Sequence, residues 1–288
     1  MTDLHQLSRE DQRKIYNSIR VDKQMLRETI LGGTLKQEYV AEFEKEDIFK
    51  DVCDEFITEH EPTMLMKANA IKLAHRPECV LITGASGTGK ELIAQILHGT
   101  RKGNFVAVNT CAITDTLFES ELFGHVRGSF TGALTDRDGL IKETDGEKVG
   151  HTGTLFLDEI GDMPLHLQPK LLRMIQNRTY RRVGSSKDEQ VRCRVIAATH
   201  QDLPKLIADG KFRLDLYERL NVFHLHIPPL YERRGDIKLH VDGDLHTRIM
   251  LHTEGLAKYL QGNVRQLLNL KLRAEVLGLD SVGKEDVL

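Results

Sequence analysis

Two short stretches carry residues able to do phosphate chemistry. In VLITGASGTGKE, residues 80–91, an apolar run leads into Gly84, Ala85, Ser86, Gly87, Thr88, Gly89, Lys90 and Glu91, and the helical pattern ELIAQILHG follows. Glycines let a backbone turn with its N–H groups inward, a helix start adds positive potential, and a lysine at this point meets the terminal phosphates. The stretch reads as a cradle for a triphosphate. Its strict form ends in Ser or Thr for magnesium, whereas Glu91 stands here. In TLFLDEIGD, residues 154–162, Asp158 and Glu159 close a second apolar run. Parallel sheets gather their ligand groups at such strand ends. Asp158 would hold Mg2+, and Glu159 would orient or deprotonate a water, because phosphoryl transfer depends mainly on positioning and charge neutralisation. Taken singly, the first stretch is also a glycine-rich turn with a surface lysine, and the second a solvated acidic turn. In this order they point to nucleotide hydrolysis.

Such residues need strands to hold them. The runs VLIT (80–83), FVAV (105–108), TLFL (154–157), RVIAAT (194–199) and VFHLHI (222–227) alternate with amphipathic stretches, which predicts an α/β fold with a five-stranded parallel sheet and flanking helices. Leu167, Leu171, Leu172 and Ile175 share one face of a helix and read as core. Residues 1–55 read as a helical N-terminal segment, with apolar positions such as Ile15, Ile19, Leu26 and Ile30 and a break near Gly32 and Gly33. Residues 56–230 form the α/β unit, and residues 231–288 a small helical unit built on Leu256, Leu260, Leu267, Leu268 and Leu272.

A formal charge of −3 argues against a protein that coats nucleic acid or a membrane surface, since such binding needs a dense cationic excess. The four cysteines, Cys53, Cys79, Cys111 and Cys193, have no paired spacing that would suggest zinc or disulfides. The N-terminus lacks the apolar stretch of a signal peptide and no run is long enough to span a bilayer, so a cytoplasmic protein is expected. The alternating His240, Asp242, Asp244 and His246 are read as a polar loop rather than a metal site.

With GSFTGA at 128–133 added to the loop and the acidic pair, the chain resembles the central AAA+ domain of sigma-54-dependent transcriptional activators, the NtrC-like family. Further matches are VNTCA, LFGHVRGSFTGA, GTLFLDEIGDMPLHLQPKLLRMIQ and FRLDLYERLNVFHLHIPPLYERRGDI, spread over residues 57–237 and again at 262–268. Glu after the loop lysine is that family's habit. The resemblance implies a P-loop AAA+ fold with a helical lid, ATP and Mg2+ as cofactors, and a homo-oligomer in the form of a hexameric ring. It further implies contact with the sigma-54 RNA polymerase holoenzyme, promoter DNA being touched indirectly if at all. By resemblance, Gly128, Ser129, Phe130, Thr131, Gly132 and Ala133 form the loop that touches sigma-54. Asn109 would hydrogen-bond the catalytic Glu159, although a strand-end Asn capping a turn is the competing reading. Thr199 occupies the first sensor position, with His200 in place of the family's usual Asn. Arg265 matches the second sensor, and Arg213 and Arg219 match arginines that approach a neighbouring subunit's γ-phosphate.

The chain departs from that pattern in extra sequence at 147–152, in a shortened lid, and in lacking a recognisable helix-turn-helix segment. Two other functions stay open: a nucleotide-binding regulatory protein with weak turnover, and an AAA+ remodeller of a different client.

Overall fold

A computed structural model describes residue 53 and residues 55–99, 101–111, 115–144, 152–241, 243–253 and 259–287. In chain order it contains α1 (Glu61–Leu73), β1 (Val80–Gly84), α2 (Lys90–His98), β2 (Phe105–Asn109), α3 (Asp115–Phe123), β3 (Gly124–His125), β4 (Arg137–Asp138) and α4 (Leu140–Glu143). Then come β5 (Thr154–Asp158), α5 (Gln168–Asn177), β6 (Thr179–Tyr180), β7 (Glu189–Gln190), β8 (Arg194–Thr199), α6 (Leu203–Ala208) and α7 (Leu214–Leu220). β9 (Phe223–Ile227), α8 (Ile237–His240), α9 (Gly243–His252) and α10 (Asn263–Leu277) complete the series. The helical reading of residues 1–55 lies outside the described residues except at Cys53 and Glu55, as does most of the 147–152 stretch.

The main sheet has five strands in the order β2-β5-β8-β1-β9, with every neighbouring pair parallel. The five expected runs are its strands, each within about one residue. β8 is buried at all six positions, because a central parallel strand has helices on both faces. On one face Leu81, Leu155, Leu157, Val195 and Ala197 pack with α3, α5 and α7 residues such as Phe118, Leu171 and Leu216. On the other, Val80, Ile82, Phe156, Ile196 and Ala198 meet Met66 and Ala70 of α1 and Ile93, Ala94 and Leu97 of α2.

Leu230, Ile237, Val241, Leu245, Ile249, Tyr259, Leu260, Leu267 and Leu270 make a separate apolar cluster that closes on Val282 and Val287. Two leucines expected in it point elsewhere: Leu268 and Leu272 of α10 are 47% and 60% exposed. On a 3.6-residue helix they lie one turn apart, on a face away from Leu267 and Leu270. Leu256 lies outside the described residues.

Candidate nucleotide site

β1 carries the chain to Gly84, where a Cβ would lie 2.8 Å from Ile227 O of the adjacent strand. The turn then uses left-handed conformations at Gly87 (φ 75°) and Gly89 (φ 102°), which cost L side chains energy but not glycine. Gly87 also packs against the entry to α10: a Cβ there would stand 2.2 Å from Gly262 O. α2 begins at Lys90, so its unpaired N-terminal N–H groups face the space enclosed by the loop. These features fit a bound polyphosphate.

Lys90 is buried, and its Nζ donates to Gly84 O at 3.1 Å and Ala85 O at 3.4 Å while lying 3.6 Å from Glu159 Oε1. Thr88 Oγ1 donates to Ala85 O at 2.8 Å, bracing the turn from inside. Glu91 is exposed at the first turn of α2, where a carboxylate favours the helix dipole.

Asp158 ends β5, directly across from Asn109 of β2. Burial pushes the Asp158 carboxyl above its ordinary value and the neighbouring Glu159 adds to this, while Lys90 opposes it. Its Oδ1 accepts the Glu159 backbone N–H at 3.1 Å, an arrangement that leaves carboxylate lone pairs for a hard divalent cation. The residues thus fit Mg2+. The negative field is felt nearby: the Cys111 thiol is pushed up to about 12 by desolvation, by its hydrogen bond to Asp162, and by Asp162, Glu159 and Asp158.

Glu159 has φ 55°, and its Oε2 accepts two N–H groups of His200, the backbone N at 3.1 Å and Nδ1 at 2.6 Å. The expected Asn109–Glu159 contact is not formed. Asn109 Oδ1 instead accepts the Cys111 N–H at 2.9 Å, the turn-capping geometry, because two residues of separation suit an Asx turn. Thr199 is fully buried and its Oγ1 accepts the Gln201 N–H at 3.0 Å. It braces the strand end while the next residue, His200, reaches the acid.

Arg265 of α10 places Nη1 3.4 Å from Ser86 Oγ. Sequence reasoning missed its neighbour Asn263, which is buried with φ 55° and spans the junction: Nδ2 donates to Ser86 O at 2.9 Å and Oδ1 accepts Leu230 N–H at 2.7 Å. It also missed Arg233, whose Nη2 donates to Thr88 O at 3.1 Å. An arginine in a charged PPLYERRGD stretch carries no signal of burial, whereas Asn after Gly262 at least marks a turn.

Arg213 and Arg219 stand apart from this group. Both are exposed, and among the described residues no hydrogen bond or ion pair joins either to the phosphate loop. Arg213 forks onto Asp215 of its own chain, Nε to Oδ1 at 3.0 Å and Nη2 to Oδ2 at 2.7 Å. Arg219, in the last turn of α7, forms no such pair among the described residues.

Gly128–Ala133 form a separate loop beyond β3. Gly128 (φ 81°) and Gly132 (φ 105°) flank it, and Gly128 N–H donates to Ala133 O at 2.9 Å. Phe130 is 39% exposed and packs edge-on against the His125 ring at a centroid distance of 5.0 Å, because the closed turn folds it back onto β3. Leu134, just after the loop, is 80% exposed.

Residues 56–226 match the Sigma-54 interaction domain. The chain is 45% identical over 232 residues to the transcriptional regulatory protein GlrR of Escherichia coli K12, covering 75% of this chain and 51% of that protein. It is 46% identical over 218 residues to the DNA-binding transcriptional regulator NtrC of the same organism, covering 69% of this chain and 44% of NtrC. It therefore spans about half the length of the curated relatives it matches. Among solved structures, NtrX from Brucella abortus in complex with ATP superposes with a TM-score of 0.64 at 28% identity, covering 88% of this chain and 64% of that one. The ADP complex of NtrX gives the same TM-score, 0.64, at 29% identity, with 85% and 57% covered. The sheet order, the glycine loop and the domain match agree: the chain belongs to the Sigma-54 interaction domain family and carries the P-loop AAA+ fold of NtrC-like transcriptional regulators.

Proposed function

We propose that this chain hydrolyses ATP at the interfaces of a ring, a hexamer in the simplest case, and uses the turnover to drive Gly128–Ala133 loops against sigma-54 RNA polymerase. The observation that carries the reading is the convergence of Lys90, at the start of α2, with Asp158 and Glu159 at the end of β5, Lys90 Nζ lying 3.6 Å from Glu159 Oε1. An entering γ-phosphate competes for Lys90, drawing it from the Gly84 and Ala85 carbonyls. Backbone N–H groups at the start of α2 and Arg265 add positive potential. Asp158 would hold Mg2+, which when bound neutralises charge on the phosphates. Glu159 then orients a water and takes its proton as the water attacks phosphorus, and the β-phosphate leaves as ADP.

Arg219, exposed and without an ion pair among the described residues, is the better candidate to reach a neighbour's phosphate, while Arg213 must first leave Asp215. An arginine supplied in trans makes hydrolysis depend on assembly. Nothing in the mechanism requires direct contact with promoter DNA, and a cytoplasmic setting follows from a polymerase partner. Among the described residues, no helix is long and apolar enough to cross a membrane.

The test separates binding from chemistry. Lys90→Ala should lose affinity for a fluorescent ATP analogue, whereas Glu159→Gln should keep that affinity and lose phosphate release by ~100-fold or more. Unchanged phosphate release in both variants would remove the assigned site.

A further inference from the structure

Glu159 is the residue whose geometry decides whether a water is held for attack, and its backbone lies in a left-handed conformation, φ 55°, that a glutamate rarely adopts. Such a conformation persists only when neighbours fix it. Thr110 Oγ1 donates to the Glu159 carbonyl, which fixes the main chain. The side chain is fixed from another strand. His200, immediately beyond β8, gives both its backbone N–H (3.1 Å) and Nδ1 (2.6 Å) to the single oxygen Oε2. The other oxygen, Oε1, is turned to Lys90 Nζ at 3.6 Å and so to the phosphate side.

We propose that His200 is the positioning residue for Glu159: it anchors one carboxylate oxygen and leaves the other directed at the attacking water. This rests on the hydrolytic reading above. It also assigns to His200 the side-chain contact that the resemblance placed on Asn109, whose Oδ1 accepts the Cys111 N–H at 2.9 Å instead. An ionised carboxylate only accepts hydrogen bonds, so Nδ1 carries a proton in this pair. The charge-assisted bond is of the stronger class and acts on a side chain only 16% exposed. The donor also explains why histidine can stand at this point. In asparagine the amide nitrogen is bonded to Cγ, as Nδ1 is in histidine, so either residue presents an N–H at nearly the same place. Leucine is of similar bulk and presents none.

The experiment compares the unsubstituted chain with His200→Leu and His200→Asn, measuring kcat and KM for ATP, affinity for a fluorescent ATP analogue, and thermal midpoint. Loss of an orienting group for the base is expected to lower kcat by roughly tenfold or more in His200→Leu. KM, analogue affinity and midpoint should stay close to the parent's, and His200→Asn should recover most of the rate. A kcat in His200→Leu equal to or above the parent's would overturn the proposal. So would a joint loss of affinity and midpoint in both variants, which would make His200 a structural support. Absence of turnover in the unsubstituted chain, with analogue binding intact, would sink the hydrolytic reading itself and this proposal with it.

Discussion

Arg233 and Asp236 form an ion pair sealed from solvent, Nη1 to Oδ2 at 3.0 Å with side-chain exposures of 1% and 0%. The pair ties residues 56–59, the phosphate loop and the stretch after β9 together. Arg233 also donates to Thr88 O in the phosphate loop and to Pro228 O after β9, and it lies 5.8 Å from the centre of the Phe56 ring. Asp236 accepts the Glu59 N–H and the Thr58 hydroxyl. Burial pulls the Arg233 guanidinium below its ordinary value, and Asp236 restores part of that loss. Removing one partner leaves a buried charge unpaired, so Arg233→Met should cost about 3–5 kcal/mol in urea unfolding. The double variant Arg233→Met with Asp236→Leu should cost less than the sum of the singles. Additive losses would show that the two side chains act separately.

Gly87 joins the loop to the second apolar cluster through close packing as well as conformation. A methyl group there would stand 2.2 Å from Gly262 O and 3.1 Å from Arg265 Cβ, at φ 75°. Gly87→Ala should therefore push the α10 entry away and weaken binding of a fluorescent ATP analogue by about tenfold or more, at a stability cost of ~1–3 kcal/mol. Parental affinity would mean that the loop tolerates separation from Arg265.

His98 supplies a pH signature. Its ring is half-buried against Phe105 and its Nδ1 is 2.9 Å from Thr154 Oγ1. Burial, then Arg101 and Arg194, lower its pKa from 6.5 to about 4. Between those values the unfolded chain binds a proton that the folded chain refuses. Stability is therefore whole above pH 6.5 and falls as pH drops toward 4, by up to roughly 3 kcal/mol. Urea midpoints across that window should show the slope, and His98→Gln should flatten part of it. An identical slope in the variant would clear His98 of the effect.

The sheet was readable because period and length speak directly: five apolar runs of strand length, each flanked by turn residues, became five parallel strands. Glycines and the strand-end acids were equally plain, since their chemistry is carried by residue type. What escaped were relationships across the fold. Leu268 and Leu272 look like core by composition, but which side of α10 faces Leu260 is set by tertiary packing. Asn109 ends β2 and His200 follows β8, and which of them touches Glu159 is set by the tertiary arrangement rather than by residue type. Arg233 reads as one more surface charge until Asp236, Thr88 and Phe56 surround it.

The loop from Gly128 to Ala133 gives a further prediction. Phe130, held edge-on against His125, must leave that ring to present its face to a partner. Phe130→Ala should reduce sigma-54 binding, measured with an ATP transition-state analogue, by about tenfold or more, as expected of an aromatic anchor. Leu134→Ala should cause a smaller loss. Full binding by the Phe130 variant would move the contact elsewhere.

The most direct test of the account is phosphate release per chain measured against protein concentration, for the unsubstituted chain and for Arg219→Ala. The specific rate should climb steeply with concentration, and the variant should stay near zero throughout. A rate independent of concentration and unaffected by the substitution would contradict hydrolysis at shared interfaces.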